Sequence, residues 1–163
     1  MKKIVFVFAF VLFLSVSFQL NAQWFWQNPS PMASCFSDVT FVNEYNGWAV
    51  GKYGSLIKTV NGGQDWQVSN SNTTQDLHSV FFFDILNGWV VGDEGIILKT
   101  SNGGSTWQLN TLCSDCIITD VFFVDVNKGF ISVNDLSTIR GKIFKTTDTG
   151  KTWTATYSSQ NLL

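Results

Sequence analysis

Arginine is almost absent: Arg140 stands alone against nine lysines in 163 residues, and His78 is the only histidine. Without a basic patch or stripe, nucleic acid is excluded as a main partner. Only two prolines occur and no low-complexity tract, so the composition does not describe a disordered chain. There is no Gly-x-Ser-x-Gly elbow, no phosphate-binding loop and no zinc signature. Asp93-Glu94, the only adjacent acid pair, falls in a Gly-punctuated turn, whereas glycoside hydrolysis needs two acids facing each other across a cleft. No eleven-residue window within the repeated units carries a helical stripe free of glycine. These absences imply no catalytic residues, no cofactor and no metal.

Cysteine is also scarce, with Cys35, Cys113 and Cys116 making up the complement. Cys113-Ser114-Asp115-Cys116 lies in a polar stretch between strand-rich segments. It lacks the strand-to-helix setting of thioredoxin-like chemistry, so the expected role is a small local disulfide, with Cys35 left over.

What is present begins with a leader. Lys2 and Lys3 precede an apolar run from Ile4 to Phe18, and Leu20-Asn21-Ala22 offers a small residue before Gln23. This layout predicts a secretory signal peptide over residues 1–22 and an exported mature chain, in the periplasm, on the outer surface or secreted. The run is short for a membrane span, which needs about 20 apolar residues; an uncleaved anchor is the alternative. With the leader removed, the remaining chain is expected to hold no membrane segment.

The mature sequence repeats itself. Asn46-Gly47-Trp48-Ala49-Val50-Gly51 returns 41 residues later as Asn87-Gly88-Trp89-Val90-Val91-Gly92. A third copy begins at Val121 and reads Lys128-Gly129-Phe130-Ile131-Ser132, with extra residues around Asn134 to Arg140. Each unit holds runs of four to six β-branched and aromatic residues broken by Gly or Asn, the pattern of four strands and their turns. Val80 to Phe83 and Val121 to Val124 are apolar without alternation, which predicts strands covered on both faces. A period of this length in a β sequence suits a propeller blade packed between two others.

The turn before the last Trp of each unit has one grammar. Its fixed positions are Thr59, Asn61, Gly63 and Trp66; then Thr100, Asn102, Gly104 and Trp107; then Thr146, Asp148, Gly150 and Trp153. The Asn or Asp is suited to bond backbone N–H groups of its own turn, the Gly to a left-handed conformation, and the Trp to anchoring the hairpin. This is the Asp-box pattern, and it resembles the bacterial neuraminidase repeat. The longer pattern, Gly-Trp-x-Val-Gly followed by Gly-x-Ile-x-Lys-Thr-x-Asn-Gly-Gly-x-x-Trp, resembles the photosystem II stability and assembly factor family. That resemblance implies a seven-bladed propeller serving as an assembly scaffold without enzymatic chemistry. Sialidase activity is the alternative that Asp-boxes raise, but its three-arginine carboxylate clamp cannot be built from one arginine.

The expected fold is therefore all-β, a β-propeller of four-stranded antiparallel blades with about three blades present. Residues 23–36 are expected to form a stray outer strand and linker, because Trp26-Gln27 resembles Trp66-Gln67. The blades are expected at 37–69, 77–110 and 118–157. Three blades do not close a ring, since closed propellers use four to eight. The expected partners are accordingly a protein, or a further copy of the chain held through the open blade faces; a truncated gene remnant is the bland alternative. Trp24-Phe25-Trp26 is the better of two aromatic clusters as a binding candidate; Phe81-Phe82-Phe83 is expected in the core.

Overall fold

The computed structural model describes residues 35–159. The leader, the Trp24–Trp26 cluster and most of the stray outer strand lie outside the described residues.

Among the described residues twelve strands form three four-stranded antiparallel sheets, each made of four consecutive strands in sequence order. The first blade holds β1 (Phe36–Phe41), β2 (Gly47–Gly51), β3 (Leu56–Thr59) and β4 (Gln67–Val68). The middle blade holds β5 (Leu77–Phe82), β6 (Gly88–Gly92), β7 (Ile96–Thr100) and β8 (Gln108–Thr111). The third holds β9 (Cys116–Phe123), β10 (Gly129–Asp135), β11 (Arg140–Thr146) and β12 (Thr154–Ser158). The all-β partial propeller expected from the repeat is the fold observed.

The same local chemistry builds each blade. The first hairpin is closed by an acceptor side chain at the start of its turn. Asn43 Oδ1 accepts the N–H groups of Tyr45 and Asn46, Asp84 Oδ1 those of Leu86 and Asn87, and Asp125 Oδ1 those of Asn127 and Lys128. These are Asx turns, in which a side chain replaces a backbone acceptor. The first strand of each blade then carries an irregularity at one equivalent place, around Ser37, His78 and Thr119. Such bulges sharpen strand twist.

The second hairpins turn tightly in the first two blades and widely in the third. In the first two blades both turn residues adopt positive φ: Tyr53 and Gly54 at 57° and 69°, Glu94 and Gly95 at 54° and 65°. Such a two-residue turn needs the left-handed conformation twice, so the residue before the glycine adopts it as well. In the third blade the extra residues lengthen both strands of the hairpin and leave 136–139 as its tip.

Packing lies between sheets. One core joins the first and middle blades through Trp48, Val50, Leu56, Val80, Phe82, Val90, Leu98 and Trp107. A second joins the middle and third through Trp89, Val91, Ile97, Val121, Phe123 and Ile131. The middle blade is thus covered on both faces. Among the described residues the outer blades are covered on one, which leaves the open face at each end that an arc of blades implies; within Val121 to Val124, where cover on both faces was expected, Phe122 and Val124 are exposed. Val39, Phe41 and Val68 are exposed on the first blade, and Phe122, Ile143 and Tyr157 on the third. Within Phe81-Phe82-Phe83 only Phe82 is fully buried, and Phe83 is exposed.

Candidate functional site: Asp-box turns and blade joints

The Asp-box turns are held by a threonine hub. Thr59, Thr100 and Thr146 are buried. Each donates its hydroxyl to the box Asn or Asp, over 2.9 Å to Asn61 Oδ1, 2.9 Å to Asn102 Oδ1 and 2.7 Å to Asp148 Oδ1. Each also accepts the N–H of Gly63, Gly104 or Gly150. The box oxygen in turn accepts the N–H four residues on, of Asp65, Thr106 or Thr152. The three glycines sit at φ 81°, 77° and 79°, in the left-handed region. Sequence reasoning gave the Asn or Asp this turn-bonding role. It placed the threonine among the fixed positions without giving it a role, and its buried hydroxyl is a stronger constraint because an unmatched buried donor is costly.

The third box carries a carboxylate. The hydroxyl and N–H of Thr152, then the hydroxyl of Thr146, hold the Asp148 carboxyl well below the usual carboxylate range. A folded-state pKa below the unfolded value near 3.9 means that the stabilisation is full at neutral pH and drains away as pH falls below about 4. Asp148→Asn is expected to keep the turn, because Asn61 and Asn102 already do this work. It is also expected to flatten the acid limb of a melting-temperature profile between pH 2 and 7. A variant with an unchanged acid limb would count against this account. Asp135 is depressed as well, by Lys142 first and then by Ser137 and Thr138, so part of the acid sensitivity is expected to remain.

The late Trp residues anchor the turns edge-on. Trp66, Trp107 and Trp153 meet Phe41, Phe82 and Phe123 in T-shaped contacts with centroids 6.0, 5.9 and 6.0 Å apart. Those Phe rings lie over Gly47, Gly88 and Gly129, where an added Cβ would fall 2.5 to 2.7 Å from ring carbons.

The joint between blades is made by the other Trp of the repeat. Trp48 stacks on Phe82 of the middle blade, centroids 3.5 Å apart and planes 9° from parallel, and its Nε1 donates to Gly103 O in the box turn. Trp89 does the same one blade on, stacking on Phe123 at 3.6 Å and 17° and donating to Thr149 O. The first and middle blades therefore each insert an indole between the Phe and the box turn of the next. Lys99 follows Trp89 across the joint: its Nζ donates to Thr149 Oγ1 and lies 5.9 Å from the indole centroid. Burial, with Lys151 nearby, lowers the Lys99 pKa against the pull of Asp148.

Near the inner strands the joints are also polar. Asp38 Oδ2 accepts the Val80 N–H across the first joint, and Ser79 Oγ lies 3.1 Å from Asp38 Oδ2 and 2.9 Å from Asp120 Oδ1. Residues 38, 79 and 120 follow the 41-residue period.

Cys113 and Cys116 are joined in a disulfide with Cα atoms 5.9 Å apart, and Cys35 is free and exposed. The bridged loop is pinned by Leu112 N–H to Gly95 O and Leu136 N–H to Asp115 O. Beside it lies a cavity of about 360 Å³ lined by Leu112, Cys116, Val133, Phe144, Asp135 and Lys142, the last two ion-paired. His78 Nε2 lies 2.7 Å from Asp93 Oδ1, both half-exposed. Among the described residues no three His, Cys, Asp or Glu side chains gather as a metal site would require, and no helix is long and apolar enough to cross a membrane.

Sheets stacked through Asp-box turns and inserted indoles define a bladed β-propeller, present among the described residues as an arc of three blades. The chain belongs to the family of photosynthesis system II assembly factor YCF48, whose model matches residues 17–161. Its fold is similar to that of a YCF48 bound to a D1 peptide, at 28% identity and TM-score 0.67, over 77% of this chain and 40% of that one. It is also similar to YCF48 from Cyanidioschyzon merolae, at 23% identity and TM-score 0.65, over 79% and 42%. An ancestral GH74 enzyme shares the fold at 18% identity and TM-score 0.59, over 72% and 18%. The chain spans about two fifths of the length of the YCF48 structures it matches. No curated protein matches it.

Proposed function

We propose that this chain is an exported, non-enzymatic propeller module that holds a peptide segment of a client protein during assembly. The observation that carries this reading is its likeness to a YCF48 bound to a D1 peptide. The Asp-box side chains support it from the other direction, because their polar atoms are spent on their own turns and joints. Arg140 alone supplies no three-arginine carboxylate clamp, and the likeness to the GH74 enzyme, at 18% identity, is a likeness of fold.

The test uses the full chain and a fluorescent peptide with the sequence of the D1 segment, titrated by anisotropy beside a scrambled control. Saturable one-to-one binding of the D1 peptide, absent for the control, is expected, together with no turnover of a fluorogenic sialoside. Equal binding of both peptides, no binding of either, or sialoside turnover would overturn the proposal. Export is checked separately, by the mass of the mature chain: an N-terminus at Gln23 is the expected result.

A further inference from the structure

We propose that two copies of this chain join head to tail, the open face of the third blade of one seated on the open face of the first blade of the other. The chain contains the template for this contact twice, in its two internal joints. At each, one blade presents its Gly-Trp position, Trp48 or Trp89, and a third-strand apolar residue, Leu56 or Ile97, and the next blade receives them on a Val, a Phe and the box Trp. The repeat equivalents show which surfaces are waiting. On the receiving side Val80 and Val121 are 4% and 3% exposed, while their equivalent Val39 is 56% exposed. On the presenting side Leu56 and Ile97 are each 1% exposed, while Ile143 is 41% exposed. One open face is thus a receiving face and the other a presenting face, complementary to one another and not to themselves.

In the proposed joint Phe130 takes the place of Trp48 and Trp89, lying on Phe41 of the second copy beside the box turn at Asn61–Gly63. Both joints form at once in a dimer, giving six blades, within the four to eight that close a ring. The joint is weaker than the internal ones, for reasons readable in the repeat. Phe130 has no N–H for the Gly62 carbonyl, the equivalent of Gly103 O and Thr149 O. Ser132 stands where Val50 and Val91 fill the internal joints. Asp120 meets Asp38 of the second copy, where the internal joint offers Ser79.

Sedimentation equilibrium of the full chain, as recovered from expressing cells, tests this. A reversible dimer is expected. Val39→Asp and Ile143→Asp, each at a side chain exposed in a single copy, are each expected to give a folded monomer by circular dichroism. Phe130→Trp is expected to tighten association about tenfold by restoring the indole donor. That gain cannot come from misfolding. A wild-type monomer, a dimer surviving either aspartate substitution, or a Phe130→Trp chain that associates no more tightly would overturn the proposal. Survival of Val39→Asp would instead indicate two presenting faces in contact, and survival of Ile143→Asp two receiving faces.

Discussion

Trp89→Ala is expected to cost about 3–5 kcal/mol of folding stability, the range for large aromatic side chains removed from packed cores. The indole is fully buried. It stacks on Phe123, gives its N–H to Thr149 O and lies beneath the Lys99 ammonium. Alanine leaves a cavity between two sheets and an unmet carbonyl in the third box turn. For a domain whose total stability is about 5–15 kcal/mol, that loss leaves a substantial unfolded population at growth temperature. Urea unfolding followed by circular dichroism measures it. Trp66→Ala, which removes a half-buried ring from the open first blade, is expected to cost less than half as much. If Trp89→Ala unfolds within 1 kcal/mol of the parent, the sheets are not held together by the inserted indole.

Gly92→Ala is expected to be nearly as damaging, at about 3 kcal/mol, at the severe end of overpacking. The reason is proximity, because this residue's backbone is extended (φ −168°) and open to any side chain. A Cβ there would lie 2.1 Å from the Asp76 carbonyl oxygen, on a backbone segment whose O also accepts the Asp93 N–H. Gly51 stands in the same relation to the Cys35 carbonyl. Gly141→Ala supplies the contrast: nothing lies within 4 Å of its Cβ position, and the change is expected to stay within about 0.5 kcal/mol. Thermal melts of the three chains side by side decide the matter, and equal effects for Gly92 and Gly141 would sink the close-approach account.

The same glycine explains the irregular third unit. Gly51 and Gly92 end their strands where the incoming segment crosses against the backbone. In the third blade Val133 holds that place, and β9 runs on alongside β10 as far as Cys116 opposite Asp135. A continuing ladder puts no carbonyl over the residue, so a side chain is tolerated. What looks in the sequence like a decayed motif is the mark of a longer hairpin.

The strands, their order and the box turns were legible because a repeated local pattern reports on local structure. Asn61, Asn102 and Asp148 could be assigned to their turns from spacing alone, since a short acceptor side chain bonds backbone close by. The joints were not legible. Trp48 meets Phe82 and Trp89 meets Phe123, partners in different units. Periodicity tells which residues are equivalent and is silent about which lie opposite. For the same reason Val39 reads like Val80 in sequence, though one is open and the other covered. The positive φ of Tyr53 and Glu94 was hidden too, because the following glycine was sufficient to explain a turn.

The indole that one unit inserts and the slot that receives it belong to different copies of the same 41-residue segment. Removal of the middle segment from the gene would therefore leave a seam with matching halves, the indole of Trp48 meeting the ring of Phe123.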